Sequence, residues 1–301
     1  MKIIYFGNNV RGTVCLRALL ENKMEIVAVI GHPESTSLWG ETVEAVCRQE
    51  KIPIYQPDNV NSREFMDIIK NIKFDIGILS GYGKIIHSPL LEIPPHGFIN
   101  LHGGLLPSYR GSSTSRWVLM NDERIAGISI LQVDNGIDTG PILAQNKFDI
   151  NDNFDIKDII SKQLKLFPSM LLNVLEKISK SSLSPVYQNI TEGTYWHSLS
   201  SDDAKIKWSH MTSRQVYNMI RAFTDPYAGA YSYNNGKKIR LIRSKEIPET
   251  FKGVPGRICA IRDNGVVVVT KDRGILIEKV RTKDKEITNA KTILKIGNFL
   301  N

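Results

Sequence analysis

A chain of 301 residues is long enough for two domains and a sizeable core. Its 42% hydrophobic and 23% charged residues are ordinary for a globular protein, and no apolar run approaches the roughly 20 residues that span a bilayer. The net charge of +8 suits a nucleic-acid partner, a smaller polyanionic substrate or simply a solvated basic surface, so charge alone does not choose.

Residues 2–6 read as a first buried strand, preceded by no basic leader or cleavage site. Gly7 supplies the turn into a helix over 10–20, and a second strand over 25–30 completes a βαβ unit, the mark of a parallel sheet. Gly7 and Gly12 lack the third glycine of the dinucleotide fingerprint, which excludes a nicotinamide cofactor. Helix, short strand and helix recur over 41–50, 53–55 and 62–71. The apolar strand 74–80 ends in Gly81-Tyr82-Gly83-Lys84-Ile85-Ile86, where glycines let a ligand approach the backbone or simply make a turn. Cys15, Cys47 and Cys259 are odd in number and far apart, giving neither a metal spacing nor a disulfide framework; this fits a reducing cytoplasm.

The run Phe98–Leu101 reads as the end of a buried strand, with Asn100 and His102 two apart and so on one face. Gly103, Gly104, Pro107 and Gly111 then open a loop at the sheet edge, where open α/β sheets bind ligands. A helix begins near 113–120, and 127–133 with 142–148 form a further strand pair. Between them lies Asp134-Asn135-Gly136-Ile137-Asp138-Thr139-Gly140, with Asp138 in the turn. From its position alone Asp138 serves either chemistry or the turn itself, and Arg110 either a ligand or a surface ion pair. The stripe Ile156, Ile159, Ile160, Leu164, Phe167, Leu171, Leu175 and Ile178 gives one long helix over 155–178, with Pro168 as a candidate kink.

A Ser/Lys-rich stretch over 179–184, ending at Pro185, divides the chain into residues 1–185 and 186–301. The second part starts with a short helix over 215–223. Close-set strands follow over 231–233, 238–243, 256–262, 265–270 and 274–280, with hairpin turns at Asn234-Asn235-Gly236 and Asp263-Asn264-Gly265. That pattern predicts a small OB-like β-barrel.

Asn-x-His at 100–102, Leu-Leu-Pro-x-x-Arg-Gly at 105–111 and Gly-Ile-Asp-Thr-Gly at 136–140 together resemble the 10-formyltetrahydrofolate-dependent formyltransferases. The resemblance runs over nearly the whole chain. It implies a Rossmann-like, doubly wound, mostly parallel sheet, followed by a C-terminal OB-like barrel. It also implies 10-formyltetrahydrofolate as formyl donor, with no metal. Asn100, His102 and Asp138 match the family's catalytic positions. By the same correspondence Lys84, Ile85 and Ile86 meet the pterin ring, and Ser112 with Asp134, Asn135, Gly136, Ile137 and Asp138 contact the donor. Asn100, an amide that does not titrate, suits an oxyanion; His102 suits donation and proton handling, with Asp138 fixing its ring.

The acceptor is read from the loop after the second strand. Residues 31–40 hold no Lys or Arg, where methionyl-tRNA formyltransferases typically carry a basic insertion. Segments 53–61, 101–107 and 221–230 resemble the formyltransferase domain acting on UDP-4-amino-4-deoxy-L-arabinose, although Ser112 stands where that enzyme has arginine. The expectation is therefore a cytoplasmic enzyme that formylates a nucleotide-linked amino sugar for surface polysaccharide or lipopolysaccharide biosynthesis. Nucleic acid and membrane are disfavoured as partners, and a homo-oligomer is compatible. The alternatives are a methionyl-tRNA formyltransferase and a non-catalytic binding module, in which an intact Asn-His-Asp set would have no purpose.

Overall fold

The computed structural model describes residues 1–33, 40–282 and 286–301. Contacts divide them into two compact units, Met1–Gly111 with Ala126–Phe148 and Ser161–Trp196, and Ser112–Ile125 with Asp149–Ile160 and His197–Asn301. In chain order the elements are β1 (Lys2–Gly7), α1 (Asn9–Glu21), β2 (Glu25–Ile30), α2 (Val43–Glu50), β3 (Ile54–Tyr55), α3 (Arg63–Lys70), β4 (Ile76–Ser80) and β5 (Phe98–His102). Next come β6 (Arg110–Gly111), α4 (Thr114–Met120), β7 (Ile125–Gln132), β8 (Ile142–Asp149), α5 (Ile156–Ser179) and β9 (Tyr195–Trp196).

The first unit is built on a seven-stranded sheet in the order β3-β2-β1-β4-β5-β7-β8. Strands β3 to β5 pair in parallel and β7 runs antiparallel to β5. Both faces are covered, as the continuous apolar run of β1 requires. Ile3 and Tyr5 enter one core with Leu16, Val46 and Phe167, while Ile4 and Phe6 enter the other with Phe65, Ile69 and Phe98. This alternation follows from the period of two along a strand. Burying the Tyr5 hydroxyl is made tolerable by its hydrogen bond to the Gly12 carbonyl at 2.7 Å. A two-residue parallel pair, β6 with β9, lies apart from the sheet.

The second unit contains α4, α6 (Ser213–Phe223) and an antiparallel sheet of β10 (Ala230–Asn234), β11 (Lys237–Glu246), β12 (Ile258–Arg262), β13 (Gly265–Val269), β14 (Gly274–Arg281) and β15 (Ile287–Asn289). Its path runs β10-β11-β14-β13-β12, with β15 beside β14. Helix α6 starts with a capping box between Thr212 and Gln215. The β10–β11 hairpin turns through Asn235 (φ 50°) and Gly236 (φ 74°), both left-handed, as a two-residue hairpin prefers. The chain's last residues join the two ends of the strand path. Asn301 exchanges both backbone hydrogen bonds with Tyr233, and Leu300 donates to Gly256. Bridges Asn234–Leu300 and Arg257–Phe299 complete the closure, which leaves no free edge on either terminal strand at that point.

Candidate active site

Strand β5 ends in Asn100 and His102, opposite Leu131 and Ser129 of β7. Beyond it the loop to Gly111 folds back over the His102 ring, whose Nε2 lies 2.5 Å from the Tyr109 carbonyl. A carbonyl only accepts, so Nε2 carries the proton. Gly104 makes this approach feasible: a Cβ there would stand 2.7 Å from the Tyr109 carbonyl oxygen and 3.0 Å from His102 Nε2. The Ser129 hydroxyl donates to the Gly104 carbonyl at 2.7 Å and accepts from the Leu106 N–H at 3.3 Å. Gln163, only 1% exposed, donates to the Gly103 carbonyl at 3.0 Å. The glycine-rich loop is therefore pinned from within.

The loop between β7 and β8 brings Asp138 to the same place. Asp134 holds the turn, accepting from the Gly136 N–H at 3.0 Å and the Thr139 hydroxyl at 2.6 Å. That frees the Asp138 carboxylate from capping its own turn. Its Oδ1 accepts from Asn100 Nδ2 at 3.1 Å, its Oδ2 accepts from the Gly111 N–H at 2.9 Å, and Oδ2 lies 3.4 Å from His102 Nδ1. The two side chains of that pair are only 6% and 9% exposed. Asp138 holds φ at 54°, a conformation that costs most side chains energy and that clusters at functional sites. Asp138 is thus hydrogen-bonded to Asn100 and approaches His102, and of these three side chains those of His102 and Asp138 are almost wholly buried.

The other expected residues are distributed more widely. Lys84 Nζ donates to the Pro57 and Asp58 carbonyls at 2.8 and 2.6 Å. Asn61 brackets the following residues, donating to the Ile85 carbonyl and accepting from the His87 N–H. On this fixed backbone Ile85 is 54% exposed, whereas Ile86 is buried in the core. Asn135, Gly136 and Ile137 are exposed, as is Ser112, which falls in the second contact unit. Arg110 donates to the Ile190 carbonyl at 3.3 Å rather than to a carboxylate.

Three contributors carry no signal in the sequence that the motifs reveal. Tyr109 acts through its backbone carbonyl, which no side-chain pattern announces. Gln188, just beyond the Ser/Lys-rich stretch, donates to the carbonyls of Asp138 and Gly140. His32 accepts from the Gly83 N–H at 3.3 Å through Nε2. Burial and the nearby Lys84 charge push its pKa below the ordinary histidine value, in keeping with an unprotonated acceptor nitrogen. Among the described residues no group of three or more His, Cys, Asp or Glu is arranged to hold a metal, and no helix is long and apolar enough to cross a membrane.

A formyl transferase family model matches residues 1–175, and a formyl transferase C-terminal domain model matches 198–297. A methionyl-tRNA formyltransferase from Thermodesulfovibrio yellowstonii is 31% identical over 299 residues, covering 97% of this chain and 94% of the relative. The bifunctional polymyxin resistance protein ArnA of Wigglesworthia glossinidia brevipalpis is 31% identical over 302 residues, which make up 99% of this chain but 46% of that protein. In fold, the chain resembles the N-formyltransferase of Helicobacter canadensis crystallised with folinic acid and dTDP-3-aminofucose. That likeness has a TM-score of 0.71 at 22% identity, over 92% of this chain and 99% of the other.

These findings overturn the nucleotide-sugar expectation. Further methionyl-tRNA formyltransferases match in sequence at 27–30% identity over 93–100% of this chain and over nearly their own full length. The physical reason lies in the segments that carried the expectation. Residues 101–107 are the His102 loop itself, and 53–61 hold the backbone of 84–87, so both belong to structure that says little about an acceptor. The cation-free loop 31–40 is one short segment, of which 34–39 lie outside the described residues, whereas attraction for phosphates comes from the summed field of a protein. The disfavouring of nucleic acid rested on that loop and falls with it. With both domain models in sequence over almost its full length, the chain belongs to the formyl transferase family, enzymes that transfer a formyl group from 10-formyltetrahydrofolate.

Proposed function

We propose that the chain formylates the amino group of methionyl-tRNA. The observation that carries the acceptor is the end-to-end likeness to a methionyl-tRNA formyltransferase, covering 97% of this chain and 94% of that relative. The net charge of +8 supports a polyanionic partner. The donor set also fits a folate: Ile85 offers an exposed apolar side chain on a backbone already fixed by Asn61, so a flat ring can pack there with little ordering cost. Lys84, Ile85, Ile86 and residues 134–138 are the proposed donor contacts. The bound donor supplies an activated formyl carbon to the amine.

The remaining chemistry belongs to the chain. Asn100 Nδ2 has two hydrogens and spends one on Asp138, leaving the second for negative charge that develops on the formyl oxygen. One such donor is worth about 2.7–4 kcal/mol in the transition state. His102 spends Nε2 on the Tyr109 carbonyl, and its Nδ1 faces Asp138 at 3.4 Å. To move a proton at the reacting centre, the ring trades one of these partners for substrate; the longer Nδ1 contact is the one that yields. Asp138 holds Asn100 through Oδ1 and the Gly111 N–H through Oδ2, and stands beside the ring until substrate enters. The test is incubation of the purified chain with 10-formyltetrahydrofolate and initiator methionyl-tRNA, following N-formylmethionyl-tRNA. Enzyme-dependent formylation is expected, and its absence with active donor overturns the acceptor.

A further inference from the structure

The segment between the two family-matched regions reaches both loops that build the active site. Thr194 donates from its backbone to the Pro107 carbonyl and accepts the Arg110 N–H, each at 3.1 Å. Its hydroxyl also donates to the Ser108 carbonyl. The Trp196 ring stacks on Tyr109, with centroids 5.7 Å apart. Those contacts fix the loop whose Tyr109 carbonyl and Gly111 N–H touch His102 and Asp138. The other loop is held by Gln188, whose Nε2 donates to the Asp138 carbonyl at 2.9 Å and to the Gly140 carbonyl at 2.6 Å. Two carbonyls demand a donor, so the amide orientation is fixed by chemistry. Its Oε1 is buried and has no partner among the described residues. Burying an amide with its oxygen unpaired works against stability, so packing alone does not account for this residue.

We propose that Gln188 is a positioning residue for formyl transfer, tethering the left-handed Asp138 so that its carboxylate faces Asn100, His102 and the Gly111 N–H. This rests on the reading of Asp138 as part of the catalytic group. Asp138 adopts φ 54° with no glycine to make that conformation easy, so the turn has to be held from outside. Asp134 grips one side of it through Gly136 and Thr139, and Gln188 grips the backbone on the other. The connector thereby sets the distance between two loops that the sheet alone leaves independent. A displacement of about 1 Å in such a group costs up to roughly a hundredfold in rate.

The test uses the full chain with 10-formyltetrahydrofolate and methionyl-tRNA, reading kcat and the donor KM separately. Gln188→Met keeps the volume and removes both donors; Gln188→Glu keeps the shape and turns a donor into an acceptor facing two carbonyls. Both are expected to lower kcat by about tenfold or more with the donor KM within about twofold. Glu should be no better than Met, because filling space is not the role. In an Asp138→Ala background, Gln188→Met should cost nothing further, since it acts through Asp138. Wild-type kcat in Gln188→Glu, or a full additional loss in the double variant, overturns the tether. A disabled Asp138→Ala beside an unimpaired Gln188→Met overturns the tether alone, whereas full activity of Asp138→Ala overturns the reading beneath it as well. Circular dichroism and melting of each variant identify a folding failure; if Gln188→Met fails to fold, kcat of the isosteric Gln188→Glu decides between tether and no tether.

Discussion

At the scale of single residues, the candidate site is a small set of hydrogen bonds with almost no redundancy. Asn100 and His102 both meet Asp138, Asn100 keeps a second amide hydrogen, and His102 directs Nε2 to the Tyr109 carbonyl. Asn100→Ala and His102→Ala are therefore each expected to cut turnover by about a hundredfold or more while melting near wild type. Near-normal turnover in either purified variant would remove that residue from the mechanism. Gly104 allows a sharper check, because it does no chemistry. A methyl group there meets the Tyr109 carbonyl at 2.7 Å and His102 Nε2 at 3.0 Å, and one of them must move. Gly104→Ala should destabilise by about 1–3 kcal/mol, as overpacking does, and should lower kcat along with it. If its kcat is unchanged, the Tyr109 carbonyl is not what sets the His102 ring.

At the scale of elements, the least obvious interaction is the one made by Arg214 on α6. Its guanidinium meets Asp122 at 2.6 Å, Asp152 at 2.7 Å and Glu246 at 2.9 Å, drawing together parts of the second unit far apart in sequence. Hydrogen bonds from Arg214 hold the Asp122 and Asp152 carboxyls below the usual carboxylate range. A carboxylate depressed in the folded state contributes stability that is fully present above its unfolded value of about 3.9 and is lost as pH falls through the folded one. These groups are partly exposed, so the contribution is of order 1 kcal/mol. Arg214→Met should lower the melting temperature at pH 7, where three carboxylates lose the guanidinium they share, while Asp152 keeps Arg124 and Asp122 keeps Arg221. The gap should close as pH falls below about 4; a gap that stays constant down to pH 3 would count against the ion cluster. Legibility in the sequence follows the same division. Strands β1, β2 and β5 and helix α5 are readable because apolar period and turn residues agree over many positions. The β6–β9 pair and the closing residues 299–301 are not, since two or three residues show no period. Asn100, His102 and Asp138 stand out through their motifs, but Gln188 is a lone amide in a polar connector and Tyr109 contributes only backbone.

At the scale of the whole molecule, the +8 charge is the feature that the sequence leaves undecided. Arginines such as Arg17, Arg124, Arg214, Arg243 and Arg281 are engaged with carboxylates. Arg17 and Arg214 each face more than one carboxylate, so such clusters add no positive field, and the surplus of cations elsewhere is what a distant polyanion feels. If a tRNA is the acceptor, each phosphate neutralised on binding releases counterions, and log affinity should fall with log salt by roughly 0.7–0.9 per phosphate. Three or so such contacts predict that kcat/KM for methionyl-tRNA drops by about tenfold or more between 50 and 200 mM salt. The donor KM should move by less than about twofold over the same range, because a small co-substrate neutralises far fewer charges than a tRNA and so releases few counterions. Steady-state kinetics at the two salt concentrations, varying one substrate at a time, separate the effects. A flat acceptor profile beside measurable formylation would mean that shape and base contacts, not the positive field, hold the acceptor, and that the surplus charge is only solvated surface.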